Sequence, residues 1–161
     1  MRFDARVAAV TGGGRGIGEA TCQLLAGQGA SVVVSDLDHA VAEAVAAGIR
    51  GAGGKAEAVA TDVTRAADAQ GMVDLAREKF GRLDILVCCA GITRDNLLFK
   101  MTDEDWNGVI TTHLTGSFNC VRAAQAPMVE QKYGKIVLLS STSALGNRGQ
   151  TNYSTAKAGL Q

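Results

Sequence analysis

Tyr153 and Lys157 stand four residues apart near the end of the chain, in the run YSTAK, and Ser140 precedes them. An i,i+4 spacing places the phenol and the ammonium on one face of a helix. Reduction of a carbonyl by hydride needs a proton donor at the oxygen, a hydrogen-bond partner that polarises it, and a group that tunes the donor. We interpret Tyr153, Ser140 and Lys157 as candidates for these three roles.

The non-catalytic alternative is that Tyr153 and Lys157 are neighbours on a surface helix. A YxxxK pattern alone would fit this alternative as well. A free tyrosine loses its proton only near a pH of about 10. A phenol that works at neutral pH therefore needs positive charge beside it, which Lys157 and an oxidised nicotinamide would supply. The catalytic interpretation depends on where the other elements place these side chains.

A glycine-rich turn near the start of the chain could hold the phosphates of such a cofactor. A predicted strand runs into TGGGRGIG, and a helical pattern follows. Glycine allows close backbone approach, and a helix N-terminus favours an anion. A plain loop is the alternative, but the position between strand and helix favours a dinucleotide turn. We expect phosphate contacts from Gly12, Gly14, Arg15, Gly16, Ile17 and Gly18.

Asp36 closes the second predicted strand, with Leu37 next to it, about twenty residues beyond the glycines. A carboxylate there can accept hydrogen bonds from both adenosine ribose hydroxyls. This favours NAD, because the same charge repels a 2′-phosphate. Arg15 could pair with such a phosphate, so NADP stays possible. Asp36 could alternatively stabilise the start of the next helix.

Alternating strands and helices predict a parallel α/β sheet with helices on both faces. Ser140 would then emerge at the carboxyl edge of the sheet, where ligands bind. The strands, each expected to be buried on both faces, are Arg6–Thr11, Ser31–Asp36, Ala56–Ala60, Asp84–Cys88 and Lys135–Leu139. The helices are Gly18–Gln28, Asp38–Arg50, Arg65–Phe80 and one long helix over about 106–131, with a capping box at Thr102 and Asp105.

Composition limits the number of domains and the kinds of partner, metal site and cellular location that we expect. A chain of 161 residues that is 47% hydrophobic suits one domain over residues 1–161. Equal numbers of basic and acidic residues, 16 of each, argue against a nucleic acid or a membrane as partner and favour a small molecule. The four cysteines and two histidines lack zinc spacing, so we expect no metal. We expect a cytoplasmic location, since no signal peptide or membrane span is visible.

TGGGRGIG, the strand-ending Asp36, Asp62 with Val63, and SSTSALGNRGQTNYSTAK closely resemble the short-chain dehydrogenase/reductase family over essentially the whole chain. Within that family the sequence is similar to 3-oxoacyl-[acyl carrier protein] reductases and related hydroxyacyl-CoA dehydrogenases. The resemblance implies a Rossmann-like doubly wound sheet of strand order 3-2-1-4-5. It also implies a catalytic triad of Ser140, Tyr153 and Lys157.

By the same resemblance, Asp62 contacts the adenine, and Val63, Tyr153 and Lys157 also belong to the cofactor site. The segment Cys88, Ala90 and Gly91 approaches it through the backbone. The implied reaction transfers hydride between NAD(P)(H) and a 3-oxoacyl or 3-hydroxyacyl thioester. Its substrate would be a small-molecule or carrier-bound acyl group, and the full-length protein would be a homo-oligomer.

Three departures from the family pattern matter. The family usually carries NNAG where this chain has Cys88, Cys89, Ala90 and Gly91. We expect both cysteines to be small buried hydrophobes, with a vicinal disulfide or a thiol-based sensor as the alternative. His113, in THLTG, stands where the family places an asparagine that helps to hold a water in the proton relay.

An imidazole at position 113 could hold a water as well, but it titrates near neutral pH. His113 is therefore either a catalytic residue or a histidine without a catalytic role, buried or facing a helix, whose ring nitrogens have hydrogen-bond partners. His39 lacks such context, and we expect it at the surface. The third departure is length, because family members continue through two further strands that are absent here.

We therefore expect a dinucleotide-binding and catalytic domain that is incomplete at its C-terminus, with the fifth strand as an exposed sheet edge. The alternative function is a truncated, non-catalytic remnant that binds a dinucleotide without turnover.

Overall fold

Strands and helices alternate along the chain in the computed structural model, which describes residues 2–161. The strands are β1 (Val7–Thr11), β2 (Ser31–Asp36), β3 (Lys55–Ala60), β4 (Ile85–Cys88) and β5 (Lys135–Leu138). The helices are α1 (Gly16–Gly27), α2 (His39–Gly51), α3 (Ala66–Phe80), α4 (Asp103–Ile110), α5 (Gly116–Glu130) and α6 (Thr151–Gly159). Short 3-10 helices lie at Leu98–Lys100 and Thr142–Leu145. The predicted strand boundaries agree with these to within one residue.

All five strands are parallel and form one sheet of order β3-β2-β1-β4-β5. The chain leaves β1 toward β2 on one side and returns to β4 on the other. At this switch point the loops diverge and open a crevice outside the carboxyl ends of the strands. The predicted strand order and fold class are confirmed.

Two apolar clusters cover the two faces of the sheet. On one face, side chains of α3 and α5, such as Met72 and Cys120, pack on Leu86. On the other face, α1 and α2 contribute Leu25 and Ile49. Burial on both faces explains why the central strands consist of Val, Ala, Ile and Leu without an alternating polar side.

The outer strands are less buried than the central ones. Ile136 and Val137 of β5 are 38% and 48% exposed, so the prediction that this strand is buried on both faces is wrong. Strand β3 is only partly buried. Both strands lie at an edge, with a neighbouring strand on one side only among residues 2–161.

The predicted long helix is interrupted. It begins earlier than expected, at Asp103, where Thr102 and Asp105 form the predicted capping box. The backbone then widens into a π-helical turn over Thr111–Thr115 before α5 continues. Such turns are frequent at functional sites, and this one carries His113. No helix in the described part of the chain combines the length and the apolarity needed to cross a membrane.

Candidate active site

A groove of about 880 Å³ runs along the carboxyl ends of the strands. Its walls come from the glycine turn, the ends of β2 and β3, and the loop after β4. Of the predicted cofactor residues it contains Gly12, Arg15, Asp36, Leu37, Asp62, Val63, Ala90 and Gly91. Thr61, Ile92, Thr112 and the exposed His39 also line it, and the sequence did not single these out as site residues.

The glycine turn packs tightly against the neighbouring backbone. Gly12 has a φ of +63°, and a Cβ there would lie 2.9 Å from the Cα of Ala90. A Cβ on Gly18 would lie 2.0 Å from the carbonyl oxygen of Gly12. Gly16, by contrast, has a φ of +53° and open space around the position of a Cβ. The turn thus joins α1 closely to the sheet and leaves its outer side, with Ile17, accessible to an anion.

Asp36 connects this turn to the end of β2. Its carboxylate accepts hydrogen bonds from the N–H groups of Gly14, at 3.1 Å, and Asp38, at 3.3 Å. The side chain that caps α2 is that of Asp38, which accepts from the N–H of Ala40. Asp36 lies two residues before this cap, so its charge is also near the start of α2, as the alternative interpretation expected, and its oxygens keep further acceptor capacity toward the groove.

The loop after β3 is held by polar side chains. Asp62 accepts hydrogen bonds from the backbone and the hydroxyl of Thr64, at 3.0 and 2.7 Å. The buried Asn119 of α5 donates to the carbonyls of Val63 and Thr64, at 3.0 and 3.2 Å. The hydroxyl of Thr61, within the groove, is buried and lacks a hydrogen-bond partner in residues 2–161. The glycine turn and the Asp36 carboxylate, both at the wall of the groove, fit the phosphates and the ribose of a dinucleotide.

Lys157 contacts both Tyr153 and the segment around Ser140, where α6 passes the end of β5. The Lys157 ammonium lies 5.5 Å from the centre of the Tyr153 ring and donates to the carbonyl of Leu139 at 2.5 Å. The Ser140 hydroxyl donates to the carbonyl of Lys157 at 2.8 Å. The i,i+4 pair is thus part of a tertiary cluster and is not an isolated pair on a surface helix.

The environment of this cluster differs from residue to residue. Lys157 is buried, and burial lowers its pKa, whereas the neighbouring Cys89 raises it. Ser140 is exposed, but its hydroxyl is already bonded to α6 and also accepts from the amide of Gln161 at 2.9 Å. To polarise a substrate carbonyl, this hydroxyl would have to exchange its bond to the Lys157 carbonyl for one to the substrate.

His113 reaches the same cluster from the π turn. It is 4% exposed, and its ring stands edge-on to the Tyr153 ring, with centres 5.2 Å apart. Nε2 lies 2.8 Å from the carbonyl oxygen and 3.1 Å from the nitrogen of Ile92. Nδ1 is buried and has no hydrogen-bond partner among the described residues. His113 is thus buried, half satisfied and in contact with the candidate acid.

Burial lowers the pKa of His113, the hydrogen bond with the Ile92 backbone raises it, and the charge of Lys157 lowers it. The imidazole is therefore neutral at neutral pH. Its position also explains Gly91, because a Cβ there would lie 2.2 Å from Cε1 of His113. The sequence showed Gly91 as a possible cofactor contact but gave no sign of this packing requirement.

Cys88 and Cys89 face opposite sides of the sheet. Cys88 is buried in the cluster that contains Cys120, as expected for a small hydrophobe. Cys89 packs against the other cluster, is only partly buried and lines the groove, so the prediction of burial holds only in part for it. Opposite orientations disfavour a bond between these neighbours. Within residues 2–161, no group of three or more metal-ligating side chains comes together.

Residues 6–161 match the family model described as short chain dehydrogenase. The chain belongs to this family. The resemblance that the glycine turn and the Ser140, Tyr153 and Lys157 pattern suggested is thereby confirmed.

Individual members of the family are similar over nearly the whole chain. The short-chain reductase protein NovJ of Streptomyces niveus is 46% identical, over 96% of this chain and 59% of NovJ. A 3-oxoacyl-[acyl-carrier-protein] reductase of Synechocystis is 46% identical, over 97% of this chain and 64% of its own length. The crystal structure of a short chain dehydrogenase from Mycobacterium avium matches with a TM-score of 0.94 at 38% identity, over 99% of this chain and 61% of that one.

This short-chain dehydrogenase chain therefore spans about six-tenths of the length of these relatives.

Proposed function

We propose that this site interconverts a carbonyl and a secondary alcohol with a nicotinamide dinucleotide held in the groove. The observation that carries the proposal is the position of Tyr153, whose ring has the Lys157 ammonium on one side and His113 on another. When bound, the nicotinamide would supply or accept the hydride.

The side chains of the chain would handle the proton. Tyr153 would donate it to the carbonyl oxygen in reduction and remove it from the hydroxyl in oxidation. The buried ammonium of Lys157 would stabilise the phenolate form electrostatically. Ser140, at the end of β5, would donate a hydrogen bond to the same substrate oxygen. The contact of the His113 ring with the Tyr153 ring, and an Nδ1 without a partner among the described residues, support a part for His113 in the proton relay.

NAD is the proposed cofactor, because the Asp36 carboxylate lies in the groove beside the glycine turn. Its charge would repel a 2′-phosphate and accept hydrogen bonds from a free ribose diol. Arg15 also lines the groove, so NADP is the alternative. The proposed contacts include Gly14, Gly16, Ile17 and Gly18 of the turn, and the backbone at Cys88.

The proposed substrate is a 3-oxoacyl or 3-hydroxyacyl thioester, as a small molecule or on a carrier. The support is the name of the Synechocystis relative, a 3-oxoacyl-[acyl-carrier-protein] reductase. A single domain, a homo-oligomeric full-length protein and a cytoplasmic location remain predictions from the sequence.

The test is NADH consumption with an acetoacetyl thioester by the protein and by Tyr153→Phe. Loss of the phenol should lower kcat by about 100- to 10,000-fold. Tyr133→Phe is the matched control, since the only other tyrosine lies under the Arg6 guanidinium, 3.8 Å from its ring centre, and keeps that stacking as phenylalanine. Equal activity of Tyr153→Phe and the unmodified protein would remove the phenol from the mechanism.

A second candidate function is dinucleotide binding without turnover. It is favoured by the bond that engages the Ser140 hydroxyl with the carbonyl of Lys157. Calorimetric titration with NADH, combined with the turnover assay, separates the two functions. Binding without product supports the second function, and product formation by the 161-residue chain excludes it.

A further inference from the structure

Asn152, the residue before Tyr153, is completely buried, at 0% exposure. Its amide nitrogen donates to two backbone carbonyls, that of Arg94 at 2.9 Å and that of Asp105 at 3.0 Å. Its amide oxygen accepts from the N–H of Tyr153 at 2.8 Å. One side chain thus fastens the start of α6 to the loop after β4 and to the first turn of α4.

These contacts connect the loop after β4 to both sides of the contact between the rings of His113 and Tyr153, the candidate acid. Arg94 lies two residues after Ile92, whose backbone bonds to Nε2 of His113. The His113 ring stands against the ring of Tyr153. Tyr153 in turn follows Asn152 directly, so both sides of the ring–ring contact are set by the same loop.

A second fastening lies nearer the surface. The amide nitrogen of Gln150 donates to the carboxylate of Asp95 at 2.8 Å, and the N–H of Asn96 donates to the carbonyl of Gly149 at 2.8 Å. This outer fastening joins the same two segments but does not reach α4. Asn152 is the buried contact that joins all three.

We propose that Asn152 is a positioning residue that sets the place of the Tyr153 ring against His113. The inference rests on the proposed function for its catalytic meaning, but the geometry it predicts belongs to the protein without cofactor or substrate. Removing the amide leaves two carbonyls unpaired and leaves the loop joined to α6 by the outer fastening without the buried one, so the two rings should separate.

The measurement is the nuclear Overhauser cross-peak between the ring protons of His113 and Tyr153. Two histidines and two tyrosines in the chain make selective ring labelling and assignment direct. The cross-peak should be present in the unmodified protein and lost in Asn152→Ala. Asn152→Ser, which keeps a smaller donor, is the second variant if the alanine form does not fold, and it should weaken the cross-peak.

Asn119→Ala is the matched control. Asn119 is also a buried amide that donates to two backbone carbonyls, but it holds the loop after β3. Its loss should cost stability and weaken NADH binding while leaving the His113–Tyr153 cross-peak intact. A cross-peak of full intensity in a folded Asn152 variant would overturn the inference.

The outcome is separable from that of the proposed function. Turnover by Tyr153→Phe tests the reaction, whereas the cross-peak tests the placement of the ring. In the turnover assay, Asn152→Ala should lower kcat about 10- to 100-fold with the KM for NADH unchanged, because misplacement affects the chemical step and not cofactor binding.

Discussion

At the scale of single residues, chemistry at this site depends on what surrounds each polar group. Lys157 and His113 are both buried beside Tyr153, and burial disfavours the charged form of each. His113 nevertheless has one nitrogen bonded to the Ile92 backbone and the other without a partner among residues 2–161. This arrangement suits a neutral imidazole, the form that the proposed proton relay requires.

The lowered pKa of His113 predicts a loss of stability in acid. The unfolded chain takes up a proton near the ordinary pKa of 6.5, whereas the folded protein does so only at lower pH. The unfolded state therefore binds more protons in this window, and the free energy of unfolding falls as the pH drops below about 6.5. His113→Asn should lose less stability between pH 7 and pH 5 in urea titrations. His39→Asn, at an exposed position, should behave like the unmodified protein.

Asp36 gives a prediction about cofactor choice. Asp36→Ala removes a negative charge from the groove, so it should shift the ratio of NADH to NADPH affinity toward NADPH by about tenfold. Calorimetric titration with both dinucleotides measures the ratio. Asp74→Ala, on the exposed face of α3, is the control of equal charge change. An unchanged ratio in Asp36→Ala would refute the role assigned to this carboxylate.

The residues that the structure gathers at the candidate site could be selected from the sequence, but the contacts that hold them in place could not. YSTAK and TGGGRGIG draw attention to a phenol, an ammonium and a glycine turn because their spacing is local. Asn152 and Asn119 act through carbonyls far away in the chain, and no local pattern marks them. The engaged state of the Ser140 hydroxyl likewise depends on α6, which packs there only in the folded protein.

At the scale of elements, the glycine turn shows why the start of α1 is fixed. Gly18→Ala would place a Cβ 2.0 Å from the Gly12 carbonyl oxygen, so it should destabilise the protein by about 1–3 kcal/mol and abolish NADH binding. Gly27→Ala, in the same helix but with open space, should leave binding unchanged and raise stability by up to about 1 kcal/mol. Thermal melts and NADH titration of the two variants check this contrast, and equal behaviour of both would contradict it.

Helices and strands could be predicted where the spacing of hydrophobic residues determines the secondary structure. Strands β1, β2 and β4 and helices α1 to α3 follow from runs and periodicity alone. The π turn at Thr111–Thr115 was not foreseen, because one wider turn within a helical pattern changes the period too little to be seen. The place of β5 at a sheet edge was expected, but the exposure of its faces was misjudged, because a strand that contains Val and Ile does not reveal whether a layer covers it.

At the scale of the whole molecule, β5 is the part of the sheet most open to other chains. It is an edge strand with exposed Ile136 and Val137, and unpaired edges of this kind promote association. Val137→Lys should reduce concentration-dependent light scattering of the 161-residue chain. Leu24→Lys, which adds the same charge at an exposed position of α1, should have little effect. Equal scattering by Val137→Lys and the unmodified chain would show that this edge does not mediate association.

Hydride transfer itself can be followed with NADH in which both hydrogens at C4 of the nicotinamide are deuterium, and an acetoacetyl thioester as substrate. If the groove and the Tyr153 cluster act as one site, mass spectrometry will find a 3-hydroxyacyl product that carries one deuterium, and Tyr153→Phe will yield almost none. A protein that binds NADH but gives no deuterated product, or a Tyr153→Phe variant that gives as much as the unmodified protein, would contradict the assignment.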